Sequence, residues 1–470
     1  MEKIYFNSLR YLSLFCVLSL FFVSIPDDYL LIVILPLLFL AFISTVFVRQ
    51  MFKKFLTAKI FISLCFIKYS ILPILNLYLK EFDSLNGNSY KFLQQAYLLM
   101  GYELLLIGIL FYFLNKRNKN YQFQNKIEFF DKKNYFLKLC ILIGFVGFIY
   151  YPEFIEGIIW LKEDVSSYEG NYVAIVGWFM GLMFYFVKYV PTFIFLLFLN
   201  YVRVKYPKLK PPSHLVYLCI IFALLNVIIT YSENRGSIVA NGIVSLSLLY
   251  YVFPHFRLRL LSLFSIVMFA AVINSTIIRM LDTSRLDDSA IQSMYQLYFV
   301  DETNTNLDAY LSGPSGVATG IKTYKIFKNQ ISTKTLLNDL IVNTNVLNQI
   351  SYRVIDTNLK NDRTSVYFNK IVIGSRIPPM NIYGYIYLGI LFSPFFSLLT
   401  IILMIYFEKL AHKSVGVFVF YAWLYVAVRF AFNPGLSISV LSGLFATYFL
   451  PFFILVYINN KLNFLNFTWR

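Results

Sequence analysis

The chain has 470 residues, of which 59% are hydrophobic and 14% are charged, whereas ordinary globular proteins carry about 25% charged residues. This composition excludes a soluble globular fold. At about 20 residues per spanning helix, the apolar residues suffice for about 12 passes through a bilayer, so we predict an all-α polytopic membrane protein. A net charge of +17 would indicate nucleic acid in a soluble protein. In a membrane protein it first reflects orientation in the bilayer, so nucleic acid is not an expected partner.

The apolar stretches predict the spans in chain order. They cover approximately 11–25, 29–48, 60–79, 92–114, 135–151, 173–201, 214–232, 236–253, 258–279, 383–406, 414–431 and 437–458. The first stretch follows two basic residues like a secretory signal, but no small-x-small cleavage pattern follows it, so we expect it to be retained. All four cysteines fall inside apolar runs, which favours buried thiols over disulfides or metal ligands.

Lys and Arg residues gather in alternate connections, as short cytoplasmic loops require. Every second connection from the N-terminus onward is basic, and the others are mostly acidic or balanced. The basic connections include Lys53 and Lys54, then Lys116 and Arg117, and finally Lys461 near the C-terminus. This pattern predicts that both termini are cytoplasmic. The three histidines, His214, His255 and His412, then all lie on the cytoplasmic side.

One long connection, from Leu281 to about Met380, interrupts this alternation and contains no apolar run of spanning length. We therefore predict three parts: transmembrane helices 1–9 in residues 1–280, an outer loop domain in 281–380, and helices 10–12 in 381–470. Short helices over 321–331 and 334–350 are expected to lie against the membrane face. The cluster from Gly313 to Gly316 is predicted to be a plain turn, because it lacks the Gly-Lys-Ser/Thr of a phosphate loop.

Arginine is found on the outer side, where the positive-inside bias should deplete it. The residues are Arg235, Arg279, Arg285, Arg376 and Arg429. Converging guanidinium groups at the outer boundary are what a lipid-linked diphosphate would require, since the planar fork binds phosphate bidentately. The span that begins near Gly236 would add free helix amides beside Arg235. Arg429 is the strongest candidate, because it falls inside an apolar run, where a charge is costly unless it faces protein or water.

Other outer polar residues are candidates for substrate contacts or for a general base. The carboxylates are Glu233, Asp282, Asp287, Asp288, Asp301, Glu302 and Asp308, and the sequence does not choose among them. Tyr383, with Tyr367 and Tyr385, is a candidate for stacking on sugar rings. No nucleotide-binding motif and no pair of residues at metal-ligand spacing is present, so we expect neither a cofactor nor a metal.

These patterns together resemble the O-antigen polymerase (Wzy-type) family, including the enterobacterial common antigen polymerases. The resemblance rests on the span layout with one large loop before the last three spans, and on four local patterns. These are Asn234-Arg235-Gly236-Ser237, Arg279 at the end of a span, Gly374-Ser375-Arg376-Ile377-Pro378 followed by Asn381 and Gly384, and Arg429 before Asn433-Pro434-Gly435. In place of an acidic residue that some members have after the late arginine, this chain has Phe430-Ala431-Phe432.

The resemblance implies a GT-C-like, metal-independent glycosyltransferase of the bacterial inner membrane. It would join undecaprenyl diphosphate-linked oligosaccharide repeat units at the periplasmic face, with membrane lipids as its surroundings and a chain-length regulator protein as a candidate partner. The implied catalytic residues are Arg235, Arg279, Arg376 and Arg429. The implied substrate-binding residues are Glu233, Asn234, Arg285, Asn381 and Tyr383. Two alternatives remain open, an O-antigen ligase and a lipid-linked oligosaccharide flippase.

Overall fold

The computed structural model describes residues 2–79, 89–121, 127–129, 134–150, 178–207, 211–229, 235–256, 260, 262–270, 311–342, 362–371, 377–414, 416–435 and 437–468. Within these ranges the chain is all-helical, apart from one isolated bridge between Glu128 and Gly416. The helices are α1 (Glu2–Ser19), α2 (Ile34–Ser44), α3 (Val46–Lys54), α4 (Leu56–Phe66), α5 (Leu72–Leu79), α6 (Tyr90–Arg117), α7 (Tyr135–Tyr150), α8 (Trp178–Lys205), α9 (Ser213–Ile228), α10 (Arg235–Val252), α11 (Pro314–Phe327), α12 (Thr333–Val342), α13 (Thr364–Asn369), α14 (Met380–Leu388), α15 (Phe395–Lys413), α16 (Val417–Ala431), α17 (Ile438–Leu444) and α18 (Leu450–Thr468).

Six helical stretches in the described ranges are long and apolar enough to cross a membrane. They are Lys3–Phe22, Asp27–Ser44, Leu56–Leu79, Tyr90–Arg117, Tyr185–Lys205 and Ile390–Lys413. Shorter apolar helices cover Tyr135–Tyr150, Ser213–Ile228, Gly236–Val252, Val417–Ala431 and Leu450–Leu462. The prediction of an all-helical chain is confirmed over these ranges, and the long apolar helices are those of a multi-pass membrane protein. Most of the predicted span 258–279 lies outside the described residues.

The predicted span 383–406 is wrong at its start. Helix α14 ends at Leu388, and Gly389 has a φ of +82°, a left-handed conformation that glycine adopts without a steric penalty. A 3-10 turn over Ile390–Phe392 follows, and the long apolar stretch begins at Ile390. The apolar composition of α14 is continuous with that stretch, so composition alone did not reveal the break.

The cluster from Gly313 to Gly316 is not a plain turn. It forms the start of α11, in which Gly313 precedes the helix and Pro314 occupies the first turn, where its missing N–H costs nothing. The helix begins earlier than the predicted 321–331 and packs along α6 and α14. Gly320 allows this approach, since a Cβ there would overlap the side chain of Ile382. Helix α12 begins near the predicted 334 and ends at Val342, beyond which the predicted segment lies outside the described residues.

The chain divides into two compact units. The first contains Met1–Gln122, Ser293–Glu408 and Phe430–Thr447, and the second contains Phe123–Gln292, Lys409–Arg429 and Tyr448–Arg470. Each unit therefore combines segments that are distant in sequence.

In the first unit, a buried ion pair ties α6 to three other segments. Lys68 lies in a π-helical turn over Ile67–Ile71, and its Nζ is 3.7 Å from Oε2 of Glu103 on α6. The same carboxylate accepts hydrogen bonds from the hydroxyl of Tyr69 at 2.8 Å, from Nδ2 of Asn381 at 3.0 Å and from the hydroxyl of Ser397. Lys68 and Glu103 therefore each have a partner within the protein, which a buried charge requires.

Contacts within the first unit join helix ends that were predicted to lie on the same side. Glu408, near the end of α15, accepts hydrogen bonds from the backbone N–H groups of Leu56 and Thr57 at the start of α4. Lys54 donates to the backbone carbonyls of Asn118 and Lys119 at 2.7 and 3.0 Å. These residues all belong to segments predicted to be cytoplasmic, so the contacts agree with the predicted alternation.

Replacing Glu103 with Leu should lower the free energy of unfolding by about 3–5 kcal/mol, because the charge of Lys68 would remain buried without a partner. Replacing Lys68 with Met in the same background should recover much of this loss, since no uncompensated charge is then left. Thermal unfolding in detergent micelles measures both effects. A double variant that is no more stable than Glu103→Leu alone would contradict this explanation.

Candidate anion-binding site

The second unit holds a buried arginine on α16. Arg429 lies in the last turn of α16 and is only 3% exposed. Its Nε and Nη1 have no hydrogen-bond partner among the residues that the structure describes. Burying donors without partners carries a large desolvation cost, so any acceptor that binds Nε or Nη1 would stabilise the guanidinium strongly.

A second cation, Lys188 of α8, lies close to Arg429. The two positive charges are near enough to repel each other, and Nζ of Lys188 lies 5.2 Å from the ring centroid of Tyr448. Contact with an aromatic face stabilises an ammonium group but supplies no counter-charge. In the described part of the second unit the only carboxylate is that of Glu128, which lines a cavity together with Lys413. Within that part, Lys188 and Arg429 therefore have no carboxylate that compensates them.

Stacked tyrosines hold the space beside the two cations. The rings of Tyr425 and Tyr448 stack with centroids 4.2 Å apart, and Tyr189 contacts Tyr448 edge to face at 5.6 Å. The Tyr189 hydroxyl donates to the backbone carbonyl of Tyr448 at 2.8 Å, which fixes this stack to α8. The hydroxyl of Tyr425 faces Ser237, near the start of α10. It is a further polar group that a ligand at Arg429 could reach.

A fully paired polar network lies one helical turn from this stack. Asn226 accepts from the hydroxyl of Thr192 at 2.6 Å, and it donates to the hydroxyls of Ser245 and Tyr421 at 3.1 and 2.9 Å. Tyr421 in turn donates to Oδ1 of Asn241 at 2.9 Å. The network links α8, α9, α10 and α16, and it fixes the helices that carry the cations.

A spacing of four residues aligns the tyrosines, the polar network and the two cations along α8 and α16. On α16, Tyr421, Tyr425 and Arg429 follow one another at i, i+4 and i+8, and on α8 Lys188 precedes Thr192 by four residues. Side chains at this spacing lie on one face of a helix. Thr192 and Tyr421 both contact Asn226, so Lys188 and Tyr425 lie one turn further along their helices, and Arg429 lies one turn beyond Tyr425.

The predicted site residues are only partly described. Arg235 is the first residue of α10, and only its backbone is described. Ser237, two residues later, faces the hydroxyl of Tyr425. The start of α10 thus lies near the end of α16 that carries Arg429. Arg279, Arg285, Arg376, Glu233 and Asn234 lie outside the described residues, and so do the seven outer carboxylates proposed as bases.

Two predicted substrate-binding residues, Asn381 and Tyr383, belong to the first unit. Both are buried: Asn381 donates to Glu103, and Tyr383 packs with Met380 and Ile438 and stacks on Tyr387. In this structure their contacts are those of residues that hold α14 in place. The hydroxyl of Tyr383 faces Ser439, whereas Oδ1 of Asn381 has no hydrogen-bond partner among the described residues.

Sequence reasoning missed Lys188, although a signal was present. A lysine inside a predicted span is a functional candidate by default, because a charge in the bilayer interior is expensive. The same signal identifies Lys68 and Glu103, which lie inside two of the long apolar stretches. The predicted site was built from positive charge at the outer ends of spans, so residues near the middle of a span did not enter it.

A buried carboxylate in the long connection was also missed. Asp339 of α12 accepts from the backbone N–H of Thr364 at 3.0 Å and so caps α13, while its Oδ1 has no hydrogen-bond partner among the described residues. Burial raises the pKa of Asp339 to about 6. The carboxylate of Asp339 lies near the side chains of Tyr383 and Tyr387. These contacts give Asp339 a structural role in the first unit.

The described residues contain no group of three or more His, Cys, Asp or Glu side chains that could hold a metal ion. A polar cavity of about 510 Å³ lies in the second unit, lined by residues that include Asn134, Asn200, Lys413 and Asn460.

No protein-family model, no curated protein and no solved structure matches this chain.

Replacing Tyr421 with Phe should lower the free energy of unfolding by about 0.5–2 kcal/mol, because Asn226 and Asn241 each lose a hydrogen-bond partner. Replacing Tyr425 with Phe is the matched control on the same helix face. The Tyr425 hydroxyl faces only Ser237 and does not join the network around Asn226, so the loss should be smaller than with Tyr421→Phe. Thermal unfolding in detergent measures both variants, and equal losses would contradict the described network.

Proposed function

We propose that this chain is a membrane glycosyltransferase of the O-antigen polymerase type, which joins undecaprenyl diphosphate-linked oligosaccharide repeat units. The observation that carries the proposal is the buried guanidinium of Arg429, whose Nε and Nη1 lack hydrogen-bond partners among the described residues. An arginine held in this way on an apolar helix is suited to an anion such as a phosphate group, whose oxygens accept charge-assisted N–H bonds and supply the missing negative charge.

In the proposed reaction, the bond between the anomeric carbon of the donor glycan and a phosphate oxygen breaks. A hydroxyl oxygen of the acceptor unit forms the new bond to that carbon, and its proton passes to a base. Undecaprenyl diphosphate leaves with the bonding electrons. Arg429 would stabilise the charge that develops on the leaving phosphate, as preorganised donors do in other transfer reactions. Arg235, Arg279 and Arg376 are proposed to take part, with Glu233, Asn234 and Arg285 as substrate contacts.

The proposed architecture is that of a GT-C-like protein with about 12 spans. Both termini would be cytoplasmic, and one large periplasmic loop would lie between spans 9 and 10 in the bacterial inner membrane. Two observations support it: the apolar helices found at nearly every predicted span, and the contacts between helix ends predicted to lie on the same side. Helix α16 then runs outward, and Arg429 lies near its outer end. Donor and acceptor would both approach from the periplasmic side.

A lipid-linked oligosaccharide flippase is a second candidate, and one observation favours it. Such a transporter is expected to carry charges inside its spans. Lys68 and Glu103 in the first unit, and Lys188 in the second, do lie inside apolar helices. The pairing of Lys68 with Glu103 weakens this interpretation, because a satisfied internal pair is not available to a moving substrate. A ligase is less favoured, since the three histidines lie in segments predicted to be cytoplasmic.

Replacing Arg429 with Gln should abolish long polysaccharide chains while single repeat units still reach the cell surface. The loss of a phosphate-binding guanidinium in a low-dielectric site should reduce polymerisation by about 100-fold or more. Electrophoresis of the surface glycan from a deletion strain complemented with each variant measures this. Arg117→Gln is the matched control, because Arg117 is an exposed arginine at the end of α6.

Normal chain lengths with Arg429→Gln would contradict the proposal. Loss of all surface glycan, with lipid-linked repeat units accumulating on the cytoplasmic side, would instead favour the flippase. Finished polymer that remains on its lipid carrier would favour the ligase.

A further inference from the structure

Lys188 differs from an ordinary lysine on a membrane helix. Lysines near helix ends extend their ammonium groups toward the lipid headgroups, where the charge is solvated. Lys138 of α7 has these features: it is exposed and lies 5.7 Å from the ring centroid of Tyr135, in the first turn of its helix. Lys188 lies ten residues into α8, is half-buried, and directs its ammonium group onto the inner tyrosine stack.

The described neighbours of Lys188 supply no negative group to balance its charge. Arg429 repels Lys188, and Tyr448 offers only its ring face. Two like charges at close range in a medium of low dielectric constant are costly, and the cost is removed by an anion that both can bind. Among the described residues of this unit, the single carboxylate Glu128 lines a cavity with Asn200 and Lys413 instead.

The helix register places the two cations at different levels. Lys188 lies at the level of Tyr425, and Arg429 lies one turn beyond, which corresponds to about 5 Å along a helix axis. The long lysine side chain can adjust over this distance, whereas the guanidinium is held in place by burial. Two cations staggered in this way match two linked phosphate groups better than they match one.

We propose that Lys188 is a second phosphate-binding residue of the site at Arg429, and that the pair selects a lipid diphosphate over a lipid monophosphate. The proposal rests on the proposed function only in taking the natural ligand to be a lipid-linked diphosphate. In the predicted orientation Lys188 lies deeper in the membrane than Arg429. It would bind the phosphate on the lipid side, and Arg429 would bind the phosphate attached to the sugar.

Binding of farnesyl diphosphate and farnesyl monophosphate to the purified full chain in detergent tests this assignment. Isothermal titration should show tighter binding of the diphosphate to the unmodified protein. Lys188→Gln should weaken diphosphate binding by about 10- to 100-fold, the range for losing one charge-assisted bond, and should change monophosphate binding far less. Lys188→Arg should retain most of the preference, and Lys138→Gln should leave both affinities unchanged.

A measurement on the unmodified protein keeps the test decisive if Lys188→Gln does not fold. Saturating farnesyl diphosphate should slow the acylation of Lys188 by an amine-specific reagent at least about 5-fold, because a bound phosphate shields the amine. Farnesyl monophosphate should slow it less, and acylation of Lys138, followed by mass spectrometry in the same sample, should not change. Two results would overturn the assignment. One is a diphosphate preference in the Lys188→Gln protein equal to that of the unmodified protein. The other is a rate of Lys188 acylation that the diphosphate does not change.

Failure of the assignment and failure of the proposed function give different results. If the diphosphate preference depends on Lys188 but deletion of the gene leaves glycan chain lengths unchanged, the proposed function is wrong and the binding assignment stands. If Arg429→Gln abolishes polymerisation while Lys188→Gln retains the diphosphate preference, the function stands and Lys188 is not a ligand.

Discussion

A charge in the apolar interior of a membrane protein must be neutralised by a partner, and the described residues supply one in the first unit but not in the second. In the first unit, Glu103 gathers Lys68 and three hydrogen-bond donors from separate segments, so the charge is compensated within the protein. In the described part of the second unit, Lys188 and Arg429 lie together without a carboxylate. The first arrangement stabilises the fold, and the second is suited to a ligand.

The same packing that stabilises the second unit also prepares its site. The amide of Asn226 and the hydroxyl of Tyr421 join four helices through fully paired polar groups, so little freedom remains for the helices that carry the cations. The stacked rings of Tyr425 and Tyr448 then form a rigid wall beside Arg429. Donors held in advance of binding do not have to be ordered when the ligand arrives, which is the condition for strong electrostatic stabilisation.

Composition and apolar run length predicted the helical class and nearly all of the apolar helices, because each span must be long and apolar by itself. Arg429 was singled out from sequence as a charge in an apolar run, and the structure buries it in the last turn of α16. The start of α15 was not predicted from the sequence, because the break at Gly389 depends on one backbone dihedral angle. The pairing of Lys68 with Glu103 and the approach of Lys188 to Arg429 depend on tertiary contacts between distant segments, which helix periodicity does not encode.

The most direct test of an anion site in the second unit is the structure of the full chain in lipid nanodiscs with bound farnesyl diphosphate, determined by electron cryomicroscopy. Phosphate density within hydrogen-bonding distance of Nε or Nη1 of Arg429, with the second phosphate reaching Nζ of Lys188, is the predicted result. A carboxylate of the protein bound to the Arg429 guanidinium, with the diphosphate located elsewhere or absent, would contradict it.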